Sequence, residues 1–176
     1  MIFETLYTEY FETIYAFSFR MTGDTVEAED ITQETFIRLY DYLQKGKTVY
    51  NPKAWLYRVA ANLCINQLKQ KKRFRMFIKS NMHDPNKTSN IETEYLKQER
   101  HERINNALQQ LSLQDRVLLQ LYQDGLSYAE ISEAASINRN SVGKMLSRAI
   151  EKAANILKEE DKIVLSERRE FSTASR

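Results

Sequence analysis

Apolar residues recur at spacings of three and four along most of this chain, the period of one buried helical face. Phe3, Leu6, Tyr7, Tyr10, Phe11, Ile14 and Phe17 form the first such stripe, which breaks at Thr22–Asp24. Asp24 with Glu27 three residues on makes a capping-box-like start. A second helix then runs to about Leu43, with Ile31, Thr35, Phe36, Leu39 and Leu43 on its buried side. Gln44–Tyr50, containing Gly46, reads as a short loop. Pro52 suits the first turn of a third helix, because its fixed φ fits and its missing N–H would be unpaired there anyway; Asn51 before it can cap. Trp55, Leu56, Val59, Leu63 and, less regularly, Leu68 give that helix its apolar stripe, and the pattern fades near Arg75. Ser80–Asn90 is polar, holds Pro85 and has no periodicity, so it reads as a linker between two domains.

Helical spacing resumes around Ile91 with Leu96, Ile104, Ala107, Leu108 and Leu111. Ser112 caps a helix through about Gln123, and Gly125 is placed to end it. Ser127 and Glu130 form a capping box, with Leu126 and Ile131 at staple positions. That short helix ends near Ala135, and Asn138 caps the next, again with a staple pair, Ile137 and Val142. Two capped helices this close together fit a helix-turn-helix, in which the second helix enters the major groove of DNA. Arg139, Asn140, Ser141, Lys144 and Arg148 are expected to face out, and Val142, Leu146 and Ile150 to face the core. An ordinary helical hairpin is the alternative, and Ser136 stands where a turn glycine is more usual. After Lys158 the chain turns acidic and then becomes a mixed Ser/Arg tail, 159–176, expected to fray and given no role.

Composition agrees with helices: 176 residues, 42% hydrophobic, with four Gly and two Pro. The expected fold is all-α, two small helical domains joined by a flexible linker. The single cysteine, Cys64, rules out an internal disulfide and suits a reducing compartment. Met1–Phe11 lacks a basic start and an apolar run, so it does not read as a signal peptide. The uncharged run Val59–Leu68 is about half the roughly 20 residues a membrane-spanning helix needs. A cytoplasmic chain without direct membrane insertion is expected. His83 and His101 are isolated, and Cys64 has no close partner, so no metal site is expected. There is no Gly-rich phosphate loop and no nucleophile–base pair at a supporting spacing; no catalytic residue and no cofactor is expected.

The net charge of +2 hides a strong segregation. Lys45–Lys79 holds ten basic residues and no Asp or Glu, whereas the 44 residues before it hold nine acids and two bases. Tyr50, Trp55, Tyr57, Phe74 and Phe77 are interleaved with the bases. Bases attract phosphates regardless of sequence, and flat rings stack on unpaired nucleobases. A nuclease would need clustered carboxylates beside this stretch, which has none. Taken alone, the stretch is equally a core helix with a solvated basic face. In the second helix Glu29, Asp30, Gln33, Glu34, Arg38 and Asp41 make a polar stripe, which taken alone is ordinary solvated surface.

Three segments resemble one family. Ala28–Phe36 is similar to the part of bacterial sigma factors that grips RNA polymerase, and Ala54–Leu63 to the promoter-melting helix that follows it. Leu111–Arg116 and Gly125–Ile131 resemble the start of sigma region 4, with Ser141–Lys144 and Ser147–Ala149 where its recognition helix belongs. Their order and spacing over roughly residues 1–158 resemble the sigma-70 family, in its smallest, extracytoplasmic-function (ECF) subfamily. Ala61, Asn66 and Ser136 depart from residues frequent in the family.

The resemblance implies region 2 over 1–79, a linker over 80–90 and region 4 over 91–158. It implies a non-enzymatic polymerase subunit. Glu29, Asp30, Gln33, Glu34, Arg38 and Asp41 would dock on the core enzyme, chiefly the β′ clamp and also β. Lys47, Tyr50, Asn51, Tyr57, Arg58 and Asn62 would hold the −10 element as it opens, with Lys69, Lys71, Lys72 and Arg73 on phosphates. Arg139, Asn140, Ser141, Lys144 and Arg148 would read the −35 element as duplex. An anti-sigma protein, usually membrane-anchored in this family, is the implied regulatory partner. The competing reading is a stand-alone helix-turn-helix regulator that does not act as a polymerase subunit.

Overall fold

The computed structural model describes the backbone of residues 2–81 and 110–174 and the side chains of 2–77 and 110–159. The expected linker at 80–90 and the helix from Ile91 to Leu108 lie outside the residues whose side chains are described. Among the described residues the elements are all helical: α1 (Ile2–Thr22), α2 (Thr25–Gln44), α3 (Pro52–Asn81), α4 (Leu113–Gln123), α5 (Tyr128–Ala135) and α6 (Arg139–Ala174). None of them is long and apolar enough to cross a membrane.

The N-terminal half is built on the turn between α1 and α2. Asp24 caps α2 as its spacing predicts, its carboxylate accepting from Glu27 N at 3.1 Å. Leu6, Ile14, Phe17 and Met21 of α1 then meet Ala28, Ile31, Phe36 and Leu39 of α2. Thr32 and Thr35 are buried among them and satisfy their hydroxyls on the carbonyls of Ala28 and Ile31, at 2.6 and 2.7 Å. Tyr7 meets Phe36 edge-on at 4.9 Å, with Phe3 and Phe11 alongside.

The third helix is buried more widely than its apolar stripe predicts. Leu56 is fully buried as expected, but so are Ala54, Tyr57, Ala60 and Cys64, with Ala61 close to it, whereas Trp55, Val59, Leu63 and Leu68 are half-buried. The reason is that α3 is covered twice, by α1 and α2 on one side and by α5 on another. Small side chains at Ala54, Ala60 and Ala61 allow that close approach, so α3 has two inner faces rather than one. Cys64 is a packed thiol, and burial pushes it up to about 12. The helix also runs on past Arg75 to Asn81.

The C-terminal half follows its caps. Ser112 accepts from Asp115 N at 3.1 Å, and the chain leaves α4 through Gly125, whose φ of +71° is open to glycine at little steric cost. Val117, Leu118, Leu121, Leu126, Ile131, Ala134, Val142, Leu146 and Ala149 form its interior. Ile150, expected in that interior, is 46% exposed. Ala149 takes the inner position, one turn after Leu146 and two after Val142 in the i, i+4, i+7 row. The tail also differs from expectation: α6 continues to Ala174, and from Lys144 onward it meets neither Gly nor Pro to break it.

The two helical halves also pack on each other. Their buried apolar residues form one continuous cluster, with α3 against α5 and α1 against α4.

Two predictions follow from the C-terminal half. Ser136 ends α5 at φ 54°, ψ 45°, a left-handed conformation that costs a residue with a Cβ roughly 1–2 kcal/mol. Glycine avoids that cost but loses more freedom on folding. Ser136→Gly should therefore stabilise by about 0.5–1 kcal/mol, read as a higher Tm; an unchanged or lower Tm would refute strain at this turn.

Lys152 Nζ meets Asp115 Oδ2 at 2.7 Å and ties α6 to the start of α4. Burial alone would raise the Asp115 carboxyl, but Lys152 and Ser112 hold it below its ordinary value. A depressed carboxylate contributes stability above its unfolded pKa and loses it as pH falls through its folded one. Lys152 is more than half exposed, so Lys152→Met should cost only about 0.2–1 kcal/mol at pH 7. Urea titrations should show that difference begin to shrink as the pH falls below about 4, the ordinary carboxyl value, and vanish only below the depressed value of Asp115 in the wild-type fold.

Candidate nucleic-acid interface

The second helix of the C-terminal pair is held at both its start and its rotation. Ser127 and Glu130 cap α5 reciprocally: Glu130 N donates to Ser127 Oγ at 3.3 Å, and Ser127 N to Glu130 Oε2 at 2.7 Å. Those bonds keep the Glu130 carboxyl below its ordinary value. Ser132 Oγ donates across the turn to Ile137 O at 2.7 Å, and Asn138 Oδ1 accepts from Asn140 N at 2.9 Å to start α6. Val142, Leu146 and Ala149 point inward. Arg139, Asn140, Lys144 and Arg148 are consequently exposed, and Ser141 is half-buried. A row of guanidinium, amide and ammonium groups on an exposed helix edge is suited to base edges and phosphates in a major groove.

The second basic surface lies on the loop before α3 and along that helix. Tyr50 is 95% exposed. Asn51 caps α3, its Oδ1 accepting from Ala54 N at 3.2 Å, while its Nδ2 donates to Glu133 Oε2 at 3.2 Å. Lys47 Nζ sits 5.2 Å over the Tyr42 ring, which in turn lies 5.5 Å from Trp55. Arg58 is half-buried, and Asn62, Lys69, Lys72 and Arg73 are exposed. Phe74 and Phe77 stand exposed beside this cluster. Lys71 is engaged within the protein, its Nζ 2.6 Å from Glu27 Oε1, which also accepts from Gln67 at 3.1 Å.

Tyr57 corrects the sequence expectation. The resemblance sets it among the residues that meet the −10 element, yet it is fully buried. Its ring lies edge-on to Phe17 at 5.2 Å, and its hydroxyl donates to Asp124 Oδ2 at 2.9 Å. Burial first, then the Asp124 charge, drives its phenol well above the ordinary value, so it stays protonated. The face it occupies is the one α5 and the end of α4 cover, and no local pattern announces that cover.

The polar stripe of α2 stands opposite its buried side. Glu29, Asp30, Gln33, Arg38 and Asp41 are exposed and Glu34 half-exposed. Glu34 and Arg38 pair with each other at 2.8 Å; among the described residues none of the six side chains bonds another helix. Phe3, Tyr7, Phe36, Ile37 and Tyr40 form a shallow apolar groove beside the stripe.

A polar set between the halves has no signal in the sequence. Arg20 Nε donates to Gln120 Oε1 at 2.6 Å, its Nη2 pairs with Asp124, and Arg116 Nη2 donates to the Met21 carbonyl at 2.6 Å. These groups are a hundred residues apart in sequence, and no spacing rule joins them.

Known proteins share this layout. A family model for sigma-70 region 2 matches residues 6–74, and one for sigma-70 region 4 matches residues 101–152. The chain is 30% identical over 151 residues to the ECF RNA polymerase sigma factor SigL of Mycobacterium tuberculosis, covering 85% of each protein. It is 43% identical over 63 residues to SigW of Bacillus subtilis, 36% of this chain and 34% of that one. Among solved structures, the sigma factor RpoE of Bartonella quintana, in complex with the anti-sigma factor NepR, has the same fold. Its TM-score is 0.66 at 20% identity, over 89% of this chain and 96% of that one. CnrH in complex with the cytosolic domain of CnrY gives 0.60 at 18% identity, over 89% and 88%. With both regions matched in order, and a relative aligned along most of its length, this chain belongs to the ECF subfamily of sigma-70 RNA polymerase sigma factors.

Proposed function

We propose that the chain acts in the cytoplasm as a sigma subunit that binds core RNA polymerase through α2 and directs it to promoters by reading −35 and −10 elements. It makes no bond itself and supplies position and specificity to the polymerase. The observation that carries the division of labour is the exposed stripe of α2, whose charged groups hold no other part of this fold. A stand-alone regulator would leave that surface without a role. A sigma subunit uses it, because an acidic face set against a basic partner raises the association rate and fixes the register. Region 2 is assigned to the residues up to 79 and region 4 to 91–158.

Within this reading Glu29, Asp30, Gln33, Glu34, Arg38 and Asp41 meet the polymerase clamp. Arg139, Asn140, Lys144 and Arg148 reach the −35 duplex, with Ser141 at the edge of the contact. Tyr50 is the stacking platform for an unpaired −10 base, beside Lys47, Asn51, Arg58 and Asn62. Lys69, Lys72 and Arg73 follow the phosphates, whereas Lys71 is held by Glu27. An anti-sigma protein, the class of partner bound to RpoE of B. quintana, is the expected regulator.

Reversing Asp30 and Glu34 to Lys should weaken co-purification with core polymerase while leaving the thermal melt unchanged, since both side chains lie outside the core. Normal co-purification would remove α2 from the interface. Run-off transcription with core enzyme tests duplex reading. Arg139→Ala or Lys144→Ala should lower transcription by the equivalent of about 1–3 kcal/mol at promoters carrying the contacted base pair, and less elsewhere. A loss equal for every −35 sequence would reduce the contact to phosphate.

Tyr50→Ala should leave closed-complex formation near normal and slow promoter opening, since stacking on one base is worth roughly 1–3 kcal/mol. A template with a pre-melted −10 bubble should recover part of that rate. Normal opening, seen as unpaired thymines by permanganate, would place the melting contact elsewhere.

A further inference from the structure

Leu68, Lys69, Arg75 and Met76 each stand three or four residues from Lys72, so the five share one face of α3. That face lines a cavity of about 570 Å³, with Met21 at the end of α1 and Leu111, Leu113 and Arg116 around the start of α4. Small-molecule sites commonly measure roughly 300–1,000 Å³. We infer that this cavity binds a nucleoside polyphosphate, with its phosphates on the bases of α3 and α4 and its ring system against the apolar wall. The walls belong to elements already packed together through the shared apolar cluster, so the cavity is preformed. The inference goes beyond the sigma reading and does not depend on it.

No Asp or Glu lines the cavity, whereas Lys69, Lys71, Lys72, Arg75 and Arg116 do. Lys71 is paired with Glu27; the other four have no carboxylate partner among the described residues. Arg116 is half-buried, and its Nη2 donates to the Met21 carbonyl at 2.6 Å. Burial pushes its guanidinium below the ordinary value, and among the described residues no carboxylate offsets that. A half-buried cation without a counter-charge is unfavourable, and a bound anion relieves it. One phosphate group carries about −1.5 to −2 charges, so two or three in a row are needed to balance these bases. The forks of Arg75 and Arg116 match phosphate oxygens two at a time, and the Lys69 and Lys72 ammonium groups act as point charges. Met21, Leu68, Met76, Leu111 and Leu113 add an apolar wall with two thioethers, which pack well against flat rings. An inorganic anion would leave that wall unused, and an apolar ligand would leave the charges unused. An extended strand would instead follow the face of α3 where Arg73 and Phe74 stand exposed, and neither of these lines the cavity.

The test titrates the full chain, without polymerase, with ATP and with GTP by calorimetry, at about 0.15 M salt to screen weak surface attraction. At least one of the two should bind and raise the Tm. For that base, affinity should rise from the mono- through the di- to the triphosphate, and tripolyphosphate should bind several-fold more weakly than the nucleotide. Lys69 and Lys72 also belong to the proposed −10 phosphate set, so the variants are made at Arg75 and Arg116, which are assigned to neither DNA nor polymerase. Arg75→Gln with Arg116→Gln should weaken nucleotide binding by about tenfold or more, through lost charge-assisted bonds. Lys45→Gln with Lys158→Gln, two exposed bases outside the cavity, controls for net charge and should bind as the wild type does. No binding by the wild type, or equal weakening in both doubles, would overturn the site. Tripolyphosphate binding as tightly as the nucleotide would overturn the nucleoside contact. Weaker binding of a short single-stranded DNA by the Arg75/Arg116 double, with nucleotide binding unchanged, would give the cavity to a strand and overturn the proposal. If that double melts below the assay temperature, because Arg116 also holds the Met21 carbonyl, Arg75→Gln alone is judged against Lys158→Gln on the same criteria. A wild-type chain that fails in run-off transcription would refute the sigma reading and leave nucleotide binding standing.

Discussion

Tyr57 lies where the packing of both halves converges, and the remaining helices are placed by what it needs. A phenol with no exposed surface must bury its ring against apolar neighbours and give its hydroxyl a partner. Phe17 of α1 supplies the first at 5.2 Å, and Asp124 from the end of α4 supplies the second at 2.9 Å. One side chain of α3 therefore makes demands on the N-terminal bundle and on the C-terminal half together. Asp124 is itself a partly buried charge, and Arg20 pairs with it. Removing any one of the three leaves a polar group without its partner, the costly side of hydrogen bonding in a protein interior.

Around that point the chain keeps its charges sorted. The acids of α2 face away from the core, and the bases of α3 begin only after the loop that follows. Where the two signs do meet inside the N-terminal half, they are fastened: Glu27 accepts from Lys71 and from Gln67, fixing the start of α2 to the middle of α3. One carboxylate placed in this way leaves Lys69, Lys72 and Arg73 exposed. On the proposed reading the same sorting lets neighbouring helices serve a protein surface and a nucleic-acid surface without one attracting the ligand of the other.

Local signals were legible in the sequence and distant ones were not. Asp24, Ser112, Ser127 and Asn138 all cap the helices their spacing assigned to them, because a cap is settled by side chain and backbone within three residues. The outward edge of the recognition helix was likewise legible, since Val142 and Leu146 fix its rotation from one periodic stripe. The stripe of α3 misled for the complementary reason. A periodic pattern reports one buried face, and α3 has two. Ala60, Ala61 and Cys64 are weak markers of burial beside Trp55 and Leu63, yet they lie deeper because backbones come closest where side chains are small. Tyr57 fell into the nucleic-acid set on its residue type and its basic surroundings. Only the arrival of Asp124, 67 residues later, makes it internal.

On the proposed reading the two basic surfaces face different physical tasks. A basic helix with an exposed tyrosine attracts any single strand, because phosphate attraction and stacking are largely indifferent to sequence. At the start of that helix Glu133 accepts from the Asn51 amide at 3.2 Å, and Glu130, which also closes the capping box of α5, feels the Lys53 ammonium. On the same reading the exposed edge of α6 meets a duplex, and duplex reading by a few side chains is selective at base edges.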